Sequence, residues 1–323
     1  MDYRVLGRTG VKVSQLCFGT MSFGGDADAA TSALLFKRCR EAGINFFDCA
    51  NAYASGRSEE ILGKLMAGER NELVITSKVC SPMGNGVNDR GLSRRHIMLQ
   101  VEASLRRLQT DRIDLLFVHH FDSETPIPEV LRALDDLVTQ GKILYPGVSN
   151  WAAWQIARSL GHSEGNGWAR FECIQPMYNL TKRQAEVEIL PLAQAEQIGV
   201  IPYSPLGGGL LSGKYTTSTR PAGGRLVENK MYGKRYGEEL YYEVAERFTA
   251  HAQERGIHPA SLAVAWVAHH PAVTAPIIGA RSLAQLEAPL AALAVPMTDA
   301  WWQEIAALSY DPPVATDRSE EKG

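Results

Sequence analysis

Eight short apolar runs, each ending in a polar or glycine-containing tip, set the strongest limit on how this chain folds. They are LCFGT, INFFDCA, LVITSKV, IDLLFVHH, ILYPGVSN, ECIQPMYN, VIPYSPL and APIIGA, with tips at Thr20, Asp48, Lys78, His119, Ser149, Gln175, Tyr203 and Gly279. They recur at intervals of roughly 30 residues, apart from one long step between Tyr203 and Gly279. Runs that are apolar on successive residues suit parallel strands buried on both faces. The segments between them read as helices. SRRHIMLQVEASLRRL sets Ile97, Val101, Leu105 and Leu108 at helical spacing behind Ser93, a candidate N-cap. PIPEVLRALDDLVTQG places Ile127, Val130, Leu131, Leu134 and Val138 on one face and stops at Gly141. Eight strands alternating with helices are what a (β/α)8 barrel requires; a doubly wound sheet also alternates but rarely carries eight such units.

The remaining segments fit around that barrel. YRVLGRTGVKVSQL reads as a hairpin turning at GRTG, placed to close the barrel bottom. The long step holds an insertion: the Gly- and Arg-rich loop PAGGRLVENKMYGKRYG, then helices in EELYYEVAERFTAHAQERG and PASLAVAWVAHH. A further helix in TDAWWQEIAALS packs outside. These assignments give one barrel domain over residues 1–311 and a disordered polar tail over 312–323. A chain of 323 residues with a formal net charge of -3 has no electrostatic bias toward nucleic acid or an anionic membrane. No apolar run is long enough to span a bilayer, and the opening MDYRVLGRTG lacks the apolar core of a signal peptide. Five scattered cysteines without a C-x-x-C pair fit a reducing, cytoplasmic setting.

Sites in such barrels lie at the C-terminal ends of the strands. Asp48, Lys78 and His119 end three successive strands, and Tyr53 follows Asp48 by five residues. Taken singly, Asp48 reads as a turn cap, Tyr53 as a packing residue, and His119–His120 as a surface or metal-binding pair. No carboxylate or cysteine stands at zinc spacing from the two histidines, so no metal is expected. Taken together, Asp48, Tyr53, Lys78 and His119 resemble the catalytic tetrad of the aldo-keto reductase superfamily. The resemblance is nearly full-length, through LGRTGVKVSQLCFGTMSFG, NFFDCANAYASGRSEEILG, DRIDLLFVHHFD, GVSNW, IQPMYN, IPYSPLGGGLLSGKY and PIIGARSLAQLE in the expected order. It is strongest toward the branch of potassium-channel β subunits and bacterial general reductases. The resemblance implies a TIM barrel that passes hydride from a nicotinamide cofactor to a small-molecule carbonyl without a metal. The residue types suit that chemistry. The carbonyl becomes an alkoxide and needs a proton, and a free tyrosine titrates near ~10. An ammonium at Lys78 would lower that value, Asp48 would hold Lys78, and His119 would donate to the carbonyl oxygen.

Two nucleotide motifs are narrowly missed. GGLLSGKY departs from a P-loop at Tyr215, where a magnesium-binding Ser or Thr is required, and GGGLLSG lacks the G-x-G-x-x-G spacing. These glycines instead suit close backbone approach to a pyrophosphate, with Lys214 adding charge. By resemblance, Ser149, Asn150 and Gln175 bind the nicotinamide amide and Tyr203 stacks on its ring. Ser204, Pro205, Leu206 and Gly208 line the diphosphate strip, Thr20 and Met21 contact the cofactor at the first strand's end, and Arg225 clamps it. Gly279, Arg281 and Gln285 read the adenosine end, Arg281 at a helix start with no acidic residue beside it in sequence. The resemblance therefore implies NADPH, with NADH as the weaker alternative. Where relatives commonly carry Glu-Asn, this chain has Ala288-Pro289, which removes two adenine contacts. A second reading is an NADPH-binding sensor subunit of the channel-β type with little turnover; a third is a metal-dependent hydrolase barrel.

Overall fold

The computed structural model describes residues 1–316 and 318. Of the tail expected over 312–323, positions 317 and 319–323 lie outside the described residues, and residues 311–314 carry no helix or strand. An antiparallel hairpin, Tyr3–Val5 (β1) with Lys12–Ser14 (β2), precedes eight parallel strands. The eight are Cys17–Gly19 (β3), Phe46–Asp48 (β4), Val74–Val79 (β5), Ile113–Val118 (β6), Ile143–Ser149 (β7), Cys173–Gln175 (β8), Gly199–Val200 (β9) and Ile277–Ile278 (β10). Ladder pairing runs β10-β3-β4-β5-β6-β7-β8-β9. Thr274 N–H donates to Val200 O at 2.8 Å and Ile277 N–H to Pro202 O at 2.9 Å, which brings the last strand back against the other edge. The fold is a (β/α)8 TIM barrel with an N-terminal hairpin and extra C-terminal helices.

Period-two alternation sorts every strand into an inward and an outward set. Phe46, Val74, Leu115, Phe117 and Cys173 share one cluster with Leu6 and Val13 of the hairpin, so the hairpin plugs the barrel floor as its sequence suggested. Phe47, Ile75, Leu116, Val118 and Ile174 belong to the other cluster, packed under the helices. Further along the same inward set come Asp48 and His119, two residues beyond Phe46 and Phe117, and Lys78, four beyond Val74, which thereby point into the barrel mouth rather than toward the helix layer. The helix Arg94–Leu108 buries Ile97, Val101, Leu105 and Leu108, and Ser93 caps it by accepting from His96 N–H at 3.3 Å. In the helix Ile127–Thr139 the buried stripe includes Leu137, while Val138 is only half-buried, a one-residue shift from the face read in sequence.

One assignment is corrected. The Gly- and Arg-rich insertion is not a plain loop: it contains the short helices Arg225–Glu228 and Lys230–Tyr236. Asn229 caps the second through its side chain, and buried Leu226, Tyr232 and Tyr236 tie both to the core. Alternating glycine and charge hid those anchors. The helices Glu239–Glu254, Pro259–His269 and Asp299–Ala306 follow as expected. Among the described residues no helix is long and apolar enough to cross a membrane.

Candidate active site

Strand β4 delivers Asp48 and the turn after it delivers Tyr53. That turn, Tyr53–Gly56, runs through three consecutive left-handed residues, Ala54 (φ 48°), Ser55 (φ 56°) and Gly56 (φ 94°), before the helix Arg57–Leu65. Such a backbone costs roughly 1–2 kcal/mol for each non-glycine residue, so its surroundings must hold it. Fully buried Glu59 does so from the helix. It accepts from Ser77 Oγ at 2.5 Å and from Arg107 Nε at 2.6 Å, locking the helix to β5 and to the following layer.

Lys78 and Asp48 are 1% and 2% exposed. Lys78 Nζ donates to both Asp48 carboxylate oxygens at 2.7 Å, to Cys49 O at 2.8 Å and to Tyr53 Oη at 3.2 Å. Asp48 Oδ1 also accepts from Thr76 Oγ1 at 2.7 Å and Gln175 Nε2 at 2.8 Å. A charge this deep is tolerable only with such saturation. Burial would lower the Lys78 pKa, but the charge of Asp48 and then of Tyr53 outweigh it and hold the ammonium above its ordinary range. For Tyr53 burial dominates and raises the pKa well above the usual phenol value; Lys78 acts against that rise without reversing it. This corrects the expectation of a net-lowered tyrosine: closing the pocket desolvates the phenolate by more than one neighbouring ammonium repays. Tyr53 is therefore a firmly protonated phenol beside a permanent cation. His119, from the end of β6, is pushed down to about 2 by burial, then by Lys78 and His120, so its imidazole is neutral near pH 7. Its Nδ1 lies 3.5 Å from Ser81 Oγ. A protonated phenol and a neutral imidazole face one cavity, which equips it to donate hydrogen bonds to a single oxygen.

That cavity, of about 670 Å³, is lined by Asp48, Tyr53 and His119 together with most of the cofactor set read from sequence: Met21, Ser149, Asn150, Gln175, Tyr203, Ser204, Pro205, Leu206, Gly208, Lys214, Arg225, Gly279, Arg281 and Gln285. Lys78 sits one layer beneath. Thr20 is the exception: it is fully buried, donating to Asp48 O at 3.0 Å and paired with Ser58 Oγ at 2.9 Å, while Gly19, Met21 and Ser22 face the space instead. Thr20 braces Asp48 and cannot touch a ligand. Tyr203 Oη donates to Asn150 Oδ1 at 2.7 Å, and Asn150 Nδ2 donates to His119 O at 2.8 Å, fixing the Tyr203 ring beside the tetrad.

The residues present fit a nicotinamide dinucleotide. Gly208 and Gly209 have φ of 69° and 102°, and a Cβ added at Gly209 would meet nothing nearer than Lys214 Cε at 3.8 Å. A side-chain-free backbone beside Lys214 and Arg225 suits a diphosphate. Arg281 precedes the helix Leu283–Leu290 by two residues, and its N–H is held by Gln285 Oε1 at 3.1 Å. Folding gives Arg281 acidic neighbours that the sequence does not place beside it. Its Nη1 lies 3.6 Å from Glu228 and 3.8 Å from Asp26, both more than half exposed and therefore weak partners.

A match to the aldo/keto reductase family covers residues 15–309. The chain belongs to the aldo/keto reductase family. Among curated relatives, the chain is 40% identical over 306 residues to "Uncharacterized oxidoreductase YrpG" of Bacillus subtilis, covering 91% of this chain and 92% of that one. It is 37% identical over 304 residues to the "Probable voltage-gated potassium channel subunit beta" of Arabidopsis thaliana, covering 91% and 92%. It is 34% identical over 319 residues to "Norsolorinic acid reductase" of Aspergillus flavus, covering 94% and 80%.

The sequence reading missed His120, Met231, Tyr232 and Arg235 as lining residues, and all four also line the cavity. The last three lie on the helix Lys230–Tyr236, whose existence the glycine-rich composition concealed. His120 is stacked on His119 with centroids 4.6 Å apart and planes 10° apart. The strand parity nonetheless separates the two, because His119 continues the inward set and His120 does not. His119→Ala is expected to lower carbonyl reduction far more than His120→Ala, in steady-state kinetics on a neutral aldehyde. Equal effects, or the reverse order, would mean that His119 does not face the reacting oxygen.

Proposed function

We propose that this aldo/keto reductase reduces aldehydes or ketones to alcohols with NADPH, with Tyr53 as general acid. The observation that carries the proposal is the Lys78 ammonium held between both Asp48 oxygens and 3.2 Å from Tyr53 Oη. The nicotinamide, when bound, supplies the hydride. Tyr53 then gives its proton to the developing alkoxide, an act that Lys78 eases by favouring the phenolate left behind. Neutral His119 donates to the same oxygen and orients the carbonyl. Ser149, Asn150 and Gln175 hold the carboxamide, and Tyr203 supports the ring. Five free, buried cysteines fit a reducing compartment, and we place the protein in the cytoplasm. The direct test follows NADPH absorbance over a panel of aldehydes and ketones; a panel without turnover would refute the proposal.

The cofactor choice has its own test. Arg281, its side chain 30% exposed, is positioned to read a 2′-phosphate. A hydrogen bond to a charged group is worth about ten- to a hundredfold in affinity, and release of Glu228 and Asp26 offsets part of that gain. Arg281→Ala is expected to weaken NADPH by about tenfold and to leave NADH nearly unchanged in fluorescence titrations. Parallel losses for both dinucleotides would show that Arg281 does not distinguish them. Ala288 lines the cavity where relatives offer an acidic side chain, so both dinucleotides bind more loosely than a Glu-Asn pair would allow.

A second reading follows from the likeness to the plant channel β subunit. The protein would then bind NADPH and report it to a partner with little turnover. The intact set Asp48, Tyr53, Lys78 and His119 favours the enzyme.

A further inference from the structure

We infer that this reductase prefers carbonyl substrates bearing an anionic group, a carboxylate or a phosphate, and that Arg235 selects them. The inference rests on the carbonyl-reductase reading above. Arg235 stands on the helix Lys230–Tyr236 and lines the same cavity as Tyr53, His119 and His120. Its guanidinium is 5.3 Å from the centroid of the buried Tyr232 ring, and its Nη2 lies 3.7 Å from Met231 Sδ. Among the described residues no carboxylate stands within ion-pair distance of it, whereas Arg281 in the same cavity has two. A half-buried guanidinium with only a thioether and a ring for company has paid part of its desolvation and lacks a counter-charge.

Of the cations assigned to the cofactor, Lys214 lies by the glycine strip, and Arg225 shares the Tyr232 ring with Arg235, each guanidinium 5.3 Å from its centroid. Arg235 is felt at the reacting end as well. After burial, it is the charge that depresses the His120 imidazole, and it is the first charge to oppose the rise that burial imposes on Tyr203. His120 is thus neutral, fixed by its stack on His119, and free to share a hydrogen bond with an oxyanion. A planar fork on a buried ring is pre-organised for the two oxygens of a carboxylate or phosphate. Among the described residues no acidic side chain occupies that fork, so none of them competes with a substrate anion there.

Three matched aldehydes test the inference: benzaldehyde, 4-carboxybenzaldehyde and 4-formylphenyl phosphate, with saturating NADPH. The wild type is expected to favour one or both anions over benzaldehyde by at least about tenfold in kcat/KM, chiefly through KM. The carboxylate and phosphate arms show which anion fits. Arg235→Ala is expected to lower kcat/KM for the preferred anion by about ten- to a hundredfold and so collapse the ratio. Arg235→Lys, which keeps charge without the fork, should restore part of it and shows that the effect is not misfolding. A wild type without anion preference, or a preference that Arg235→Ala leaves in place, overturns the assignment while carbonyl reduction stands. Equal losses on all three aldehydes with weakened NADPH titration would place Arg235 on the cofactor and also overturn it. Absence of turnover on all three in the wild type overturns the carbonyl-reductase reading and the inference together.

Discussion

Tyr53→Phe is expected to cut carbonyl reduction by at least ~10²-fold while leaving NADPH affinity little changed. The substitution keeps the ring that packs against the core and removes only the oxygen 3.2 Å from Lys78 Nζ. Nothing else in the cavity can replace it. His119 is held neutral down to about 2, so it can share a hydrogen bond but is a poor source of a full proton near pH 7. Lys78 is one layer below and its protons are committed to Asp48, Cys49 O and Tyr53. The loss should fall on kcat rather than on cofactor titration, since Tyr53 acts as charge develops on the carbonyl oxygen. Retention of most of the activity would remove Tyr53 from the mechanism.

Lys78→Met should be as severe and should carry a second signature. Tyr53 already titrates above its ordinary range because burial outweighs Lys78; without the ammonium it rises further. Reduction requires the protonated phenol, so activity is present below the Tyr53 pKa and lost above it. The alkaline fall of kcat/KM therefore moves to higher pH in the variant, while the plateau drops because a phenol of higher pKa gives up its proton less readily. Asp48 is left 2% exposed with only Thr76 and Gln175 as side-chain donors. Breaking a buried pair in this way costs roughly 3–5 kcal/mol, which denaturant titration would register. A variant with the wild-type pH profile would show that Lys78 is not coupled to the acid, whatever its effect on stability.

Much of this arrangement was legible in the sequence because the barrel repeats a local rule. Strand parity alone sends Asp48, Lys78 and His119 inward once Phe46, Val74 and Phe117 are recognised as core. The hairpin floor was equally readable from its GRTG turn. Three things were not. Thr20 looks like a ligand contact at a strand tip, yet its hydroxyl turns down to Asp48 O, a choice made by a backbone 28 residues away. The helices of the insertion are masked by glycines, and their anchors Leu226, Tyr232 and Tyr236 find partners only in the assembled core. The net rise of the Tyr53 pKa depends on how completely the pocket excludes water, which no residue pattern encodes.

The donation from Gln175 to Asp48 joins residues 127 positions apart. Together with Thr76 and Lys78 from β5, it means that one carboxylate on β4 is satisfied by donors from two other strands, β5 and β8. An emerging or truncated chain that has completed β4 and β5 but not β8 holds this charge with a vacancy in its coordination. Half-barrels of this protein are therefore electrostatically incomplete at their most buried point. Docking of β8 is the event that completes the charged centre. Recovery of activity during refolding should then wait for β8, and the reacting centre doubles as the chain's own check that this distant strand has arrived.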